Sequence, residues 1–232
     1  MDDASPPLTI LYQDDWLVAV DKPAGHLVHP ANTPTAGDQV TMKILRDQIG
    51  QHVHPIHRLD RPTTGVLLFG LDPKIAHQLH KALERHQIQK SYRAIVHGLA
   101  PSEPWHCREP IQKSAQAPAR EAHTSFKRLD ICQPQSLQDL ETDTLSLIDA
   151  TPHTGRYHQI RRHLLHAALP IVGDYRYAGI EISNQLGSLL GTGTRMLLQA
   201  KRLTLTHPVS NQELIIEAPV DPYFLHCFPN LN

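Results

Sequence analysis

His57-Arg58-Leu59-Asp60-Arg61-Pro62-Thr63-Thr64-Gly65, running directly into Val66-Leu67-Leu68-Phe69, constrains the fold more than any other stretch of the chain. The apolar run, bounded by turn residues, reads as a buried strand. Before it stands a proline-stiffened turn that ends at a glycine and carries a carboxylate between two arginines. Proline fixes φ and glycine frees it, so such a turn has few shapes open to it. Asp60 is therefore expected on a loop held against rigid core, where chemistry is often placed. Arg58 and Arg61 can hold that carboxylate ionised and can also meet phosphates.

The remaining segments supply many strands and few helices. Strands are expected over 8–12 and 16–20, around a polar Gln13-Asp14-Asp15 turn, and over 65–71, 91–97, 123–129, 144–150, 196–206 and 214–217. Val40, Ile44, Leu45 and Ile49 recur at helical spacing over 39–49. A second helix is expected over 73–86, with Pro73 at a permitted first-turn position, Asp72 as cap, and Ile75, Leu79 and Leu83 as its apolar stripe. A third is expected over 155–168, capped by Thr154, with Ile160, Leu164 and Ala168 on one face. The loop at 21–37 and the proline-rich excursion at 100–118 read as irregular. Short connections without strict strand–helix alternation point to an α+β fold and away from a doubly wound sheet. No repeat or long linker divides the chain, so a single domain over 1–232 is expected, with its core at about 8–219.

With 232 residues, 40% of them apolar, the chain can bury a substantial core. No apolar run is long enough to span a membrane, and Met1-Asp2-Asp3 does not resemble a secretory signal. Cys107, Cys132 and Cys227 lack C-x-x-C spacing and are expected as free thiols in a reducing, cytoplasmic setting. The net charge of −1 argues mildly against a nucleic-acid partner, but its distribution argues the other way. Residues 150–173 hold no acid, while Arg156, Arg161, Arg162, His153, His158, His163 and His166 all fall there. Asp139, Glu141 and Asp143 concentrate negative charge elsewhere. His52, His54 and His57, with His26 and His29, raise the alternative of a metal hydrolase. No H-E-x-x-H or C-x-x-C pattern supports it, so no metal is expected.

The 57–65 stretch resembles the signature H-R-L-D-x-x-[TS]-[ST]-G of the RluA-type pseudouridine synthases. Asp21-Lys22-Pro23-Ala24-Gly25 resembles their K-P-x-G motif, and Lys90-Ser91-Tyr92-Arg93-Ala94-Ile95-Val96-His97-Gly98 their K-x-Y-x-A-x-V-x-G strand. Thr154-Gly155-Arg156-Tyr157-His158-Gln159-Ile160-Arg161-Arg162-His163 resembles their T-G-R-x-H-Q-[IL]-R-x-H helix, and Pro170-Ile171-Val172-Gly173-Asp174 the P-I-x-G-D that follows. The matches keep the family's order from about residue 8 to about residue 219. Segments 10–20, 46–53 and 86–90 further resemble a branch acting on tRNA.

The resemblance implies a mainly antiparallel mixed sheet with flanking helices and a central catalytic cleft. It implies isomerisation of uridine to pseudouridine in RNA, with uridine 65 of tRNA as the branch's target and ribosomal RNA as the alternative. It places the covalent nucleophile on Asp60 and its guanidinium partner on Arg161. It gives Arg58 the space vacated by a flipped uridine, and Tyr92 the stacking of that base. No cofactor is required, because nothing is oxidised or hydrolysed. Motifs begin by about residue 10, so no S4-like RNA-binding domain is expected, and recognition falls to loops such as 25–37 and 101–120. A monomer is expected. A non-catalytic RNA-binding protein is the further alternative, against which the Asp60 and Arg161 pair argues. The chain departs from the family at Gln199, where relatives usually have His, and at Thr64, where Ser is more usual. With 17 histidines, RNA binding is expected to tighten at mildly acidic pH.

Overall fold

The computed structural model describes residues 6–30, 35 and 37–231, so the acidic start of the chain and the middle of the 25–37 loop lie outside the described residues. In chain order the elements are β1 (Thr9–Gln13), β2 (Leu17–Lys22), α1 (Thr41–Ile49), β3 (His54–Pro55), β4 (Thr64–Gly70), α2 (Pro73–Glu84) and β5 (Gln89–His97). There follow β6 (Trp105–Cys107), β7 (Ile111–Gln112), β8 (Ala119–Arg120), β9 (Thr124–Cys132), a 3-10 turn at Gln135–Leu137 and β10 (Leu145–Pro152). The last elements are α3 (Gln159–His166), α4 (Ile180–Leu189), β11 (Leu198–Thr206), β12 (Glu213–Glu217) and α5 (Pro222–Leu225). Two compact units emerge: one takes the described residues up to Gln89 with Ala200–Pro219, the other Lys90–Gln199 with the residues after 219.

In the first unit β1, β2 and β4 form an antiparallel run, with β3 beside β4 and β12 beside β11. The polar turn after β1 is built by one carboxylate. Asp14 Oδ1 accepts the backbone N–H groups of Trp16 at 2.8 Å and Leu17 at 2.7 Å, while Oδ2 accepts the Tyr12 hydroxyl at 2.6 Å. Such a side-chain turn substitutes for backbone bonds where the strands reverse. Every residue of β4 is buried. Val66 and Leu68 point to one face, where they pack with Leu17, Ala19, Ile75 and Leu79. Leu67 and Phe69 are equally buried on the other face, which is why the run is apolar rather than alternating. Truncating Leu68 to Ala is expected to cost about 2–5 kcal/mol. Helix α2 starts as its sequence dictates, with Asp72 Oδ1 accepting N–H from Lys74 and Ile75.

In the second unit β5, β10, β9 and β6 pair antiparallel in sequence, and β7 with β8 forms a small hairpin. Ile95, Leu145, Leu147 and Val172 meet Leu186 of α4 in its core. Phe224, Cys227 and Phe228, beyond residue 219, are part of the same cluster. The α+β class read from the sequence holds, but three local expectations do not. Helix α3 begins at Gln159, not 155, because Thr154 does not cap it. The Thr154 hydroxyl donates instead to Gln159 Oε1 at 2.7 Å, and His158 takes the N-cap position with φ 54°. Ala168 lies beyond the helix, exposed and with φ 55°. Helix α4 was not expected, because Ser183 and Gly187 interrupt its apolar spacing. Gly187 is required there, since a Cβ would strike the carbonyl oxygen of Gly193. The 100–118 excursion also contains β6 and β7.

Candidate active site

The site begins at the end of β2, where Lys22 is fully buried. Its ammonium donates to the carbonyls of Pro23 at 2.7 Å, His26 at 2.9 Å and Arg61 at 3.2 Å. A buried cation is costly unless it is satisfied; here backbone oxygens from two loops supply the partners. Gly25 and Arg61 are further joined by the Gly25 N–H to the Arg61 carbonyl at 2.8 Å, and by Arg61 Nε to the Gly25 carbonyl at 2.9 Å. The K-P-x-G turn is thus the strut of the loop that carries Asp60. Sequence reading left Lys22 without a role; the signal was a lysine at the inner end of an apolar strand.

Most positions of the 57–65 signature serve this loop. His57 Nε2 accepts the Leu68 N–H at 3.2 Å, as a carbonyl would in a ladder. Leu59 and Thr63 are buried, and the Thr63 N–H closes the turn on the Asp60 carbonyl at 3.0 Å. Arg61 lies 3.1 Å from Asp38 and on Gly25, so its guanidinium is occupied in bracing the loop. Gly65 has φ 102°, and a Cβ there would overlap the carbonyl of Ala200. Of the remaining positions, Thr64 is buried, Arg58 is exposed and Asp60 is half-buried. The structure therefore brings Arg58 and Asp60 together on one braced loop of the first unit.

Tyr92 and Arg161 lie in the second unit. Tyr92 sits on β5 opposite Ala150 of β10, 9% exposed. Arg161 is buried on α3, where Asp174 grips it at two points: Nε to Oδ2 and Nη2 to Oδ1, each 2.8 Å. A bidentate grip of this kind fixes the guanidinium plane as well as its position. Asp174 closes the Pro170-Ile171-Val172-Gly173-Asp174 stretch, and Gly173, with φ 76°, lies where a Cβ would collide with the carbonyl of Arg195. The two late motifs are one device, in which the second holds the arginine of the first. Tyr177 adds its ring, 5.0 Å from the Arg161 guanidinium carbon.

Gln159 explains the rest of the helix motif. Its amide donates to the His123 carbonyl and to Thr124 Oγ1, both at 2.9 Å, and its oxygen accepts from Thr154 and the Arg156 N–H. His163 Nδ1 reaches Thr124 Oγ1 at 2.9 Å and Nε2 reaches the Glu109 carbonyl at 3.0 Å. Burial holds His163 below the usual histidine range. At the family departure, buried Gln199 accepts the Asp221 N–H at 3.4 Å. Two of the three thiols are held in their unreactive protonated form: burial, then Asp130, pushes Cys132 up to about 11, and burial pushes Cys227 up to about 12. Among the described residues, no group of three or more His, Cys, Asp or Glu side chains is placed to hold a metal ion, the His52, His54 and His57 group included. No helix among them is long and apolar enough to cross a membrane.

Residues 16–166 match the sequence model of the RNA pseudouridylate synthase family. The chain belongs to that family, whose members are isomerases that turn uridine into pseudouridine in RNA. Two human proteins share its fold: RNA pseudouridylate synthase domain containing 4, with TM-score 0.72 and 24% identity over 94% of this chain and 90% of that one, and RNA pseudouridylate synthase domain containing 1, with TM-score 0.74 and 22% identity over 96% and 87%. Sequence relatives run nearly end to end. A tRNA pseudouridine synthase C of Pasteurella multocida is 43% identical over 94% of this chain and 93% of its own length. The protein of the same name from Salmonella typhimurium is 42% identical over 95% and 88%.

Proposed function

We propose that this protein is a tRNA pseudouridine synthase that isomerises uridine 65, with Asp60 as the nucleophile. The observation that carries the substrate is the near-full-length likeness to relatives named tRNA pseudouridine synthase C. The braced loop supports the role of Asp60, because a nucleophile must be held in a near-attack position. The reaction breaks the ribose C1′–N1 bond, forms C1′–C5, returns a proton to N1 and releases the C5 proton. Nothing is oxidised, so no cofactor enters.

An ionised carboxylate shielded from water needs a cation, and Arg161, locked by Asp174, is assigned that role. A uridine inside a stem must be flipped out before its C5 can be reached. Arg58, exposed on the Asp60 loop, would occupy the gap left in the stack, and Tyr92 would stack on the extruded base, worth about 1–3 kcal/mol. The protein would act as a monomer, with segments 25–37 and 101–120 as RNA contacts.

Tritium release from RNA labelled at uracil C5 tests this reading, with tRNA and ribosomal RNA transcripts in parallel and Asp60→Ala as control. Release from tRNA that disappears in the variant is the expected result. Release from ribosomal RNA alone would overturn the substrate.

A further inference from the structure

A group of histidines on the second unit stands apart from every role assigned so far. His106 on β6, His123 just before β9 and His153 just after β10 surround Ser125 of β9. The register puts them there: His106 lies opposite Ser125 across β6 and β9, and β10 delivers Thr151 opposite Ser125 on its other side. His106 Nδ1 is 2.9 Å and His153 Nε2 is 2.6 Å from Ser125 Oγ. His123 Nε2 is 3.4 Å from His106 Nδ1, and its ring stacks on His153 with centroids 4.3 Å apart. His106 and His153 are exposed and His123 is half-buried, so protons and ligands can reach the group. Strand β6 ends its sheet, so among the described residues no further strand covers this edge.

The surroundings are basic and leave charge unbalanced if these rings protonate. Arg108 follows β6, Arg156 reaches the Glu121 carbonyl through Nε, and Arg162 donates to the Gln112 carbonyl at 2.6 Å. His163 faces the same region from α3. Of the acids, Glu109 lies 3.9 Å from His166, and Glu121 is exposed on the loop before His123. Burial, then the charges of His153, Arg108, His106 and His163, holds His123 below the usual histidine range. One hydroxyl proton on Ser125 can serve only one of its two imidazole neighbours, so the other must donate to it. Protonation turns the remaining ring nitrogens into donors and brings like charges to within stacking distance. An anion resting on them relieves both costs.

We infer that His106, His123 and His153 form a proton-coupled binding site for a backbone phosphate of the substrate RNA. The inference deepens the RNA-synthase reading, on which it rests. The group sits on an open strand edge, which suits a phosphate presented by a long polyanion rather than a small enclosed ligand. The three imidazoles are not disposed as metal ligands. A phosphate accepts charge-assisted N–H bonds from the protonated rings and raises their proton affinity in turn. Binding therefore takes up protons, and affinity rises as pH falls through the range in which histidine titrates.

The test measures RNA affinity by fluorescence anisotropy between pH 8 and pH 5.5 at fixed ionic strength, for tRNA and ribosomal RNA transcripts. Wild-type affinity is expected to tighten about tenfold or more, the worth of one charge-assisted hydrogen bond. The triple variant His106→Gln, His123→Gln, His153→Gln is expected to lose most of that gain. His106→Arg with His153→Arg, which fixes the charge, should bind tightly already at pH 8 with a flatter profile. Should the triple variant fail to fold, exposed His106→Gln alone carries the test, with a shallower profile expected. Equal pH profiles in wild type and variants would overturn the site. An incorrect RNA assignment would show differently, as a tRNA transcript bound weakly at every pH and giving no tritium release.

Discussion

The Asp60 loop and helix α3 solve the same problem, holding a charged group still, by opposite means. On the loop the backbone is fixed: Lys22, Arg61 and Gly25 tie carbonyls and N–H groups together, and Asp60 stays half-buried. On α3 the side chain is fixed: Asp174 takes two nitrogens of Arg161 inside the second unit. In the proposed roles, Asp60 as the nucleophile needs its backbone held and its carboxylate left room to move through the reaction. A group that only supplies charge gains from rigidity, since preorganised charge needs no reorganisation as the reaction proceeds. The lysine turn and the P-I-x-G-D stretch are the supports for each.

The largest effect expected from breaking this contrast is at Asp60. Asp60→Ala should lower turnover by more than about a thousandfold, the usual scale for loss of a covalent nucleophile. Single-turnover tritium release, with folding checked by circular dichroism, measures it. Residual turnover within tenfold of wild type would remove Asp60 from the chemistry. Next is the α3 support. Asp174→Ala should destabilise the protein by about 3–5 kcal/mol, because it leaves a buried guanidinium without its carboxylate. Denaturant unfolding reads this directly. Arg161→Ala carries the same structural penalty, so Arg161→Lys is the sharper probe: it keeps charge but not the planar fork. It is expected to lower turnover far more than RNA affinity.

Lys22→Met probes the other support. The methionine fills the space but leaves the carbonyls of Pro23, His26 and Arg61 without the ammonium, a loss of about 3 kcal/mol. Turnover should fall about ten- to a hundredfold as Asp60 loses its fixed position. Stability lost with turnover unchanged would confine Lys22 to folding and separate it from the site.

How much of this was legible in the sequence depends on the range of the interaction. β4, the Asp72 cap of α2 and the loop setting of Asp60 rest on residues a few positions apart, and the sequence pattern carries them. The Lys22 clamp joins residues 39 apart, and the Arg161 grip joins residues 13 apart across a turn. No local pattern says that a lysine turns inward onto carbonyls, or which carboxylate an arginine will meet. The start of α3 failed for the same reason. Thr154 has the right identity for a cap, but Gln159 competes for its hydroxyl, because Gln159 is itself held by Thr124 and the carbonyl of His123. A tertiary network outbid a local preference. Helix α4 was hidden by a glycine whose purpose is contact with the carbonyl of Gly193, a reason invisible in periodicity.

The smallest expected effect concerns pH, and it divides the two regions again. His26, near the Lys22 clamp, is held below the usual histidine range by burial and then by Lys22. His163, on the buried side of α3, is held there by burial, against the pull of the Glu109 carbonyl. Each binds its proton more readily in the unfolded chain than in the folded one. Stability from both is therefore fully present above about pH 6.5 and is lost as pH falls from there toward the folded values. His26 is partly exposed and His163 is not, so His163 should carry more of the loss. Between about pH 7.5 and 5.5 the thermal midpoint should therefore drop, as read by thermal unfolding. His163→Gln should flatten that slope more than His26→Gln. A midpoint that rises as pH falls would mean that folded-state carboxylates near these rings outweigh burial.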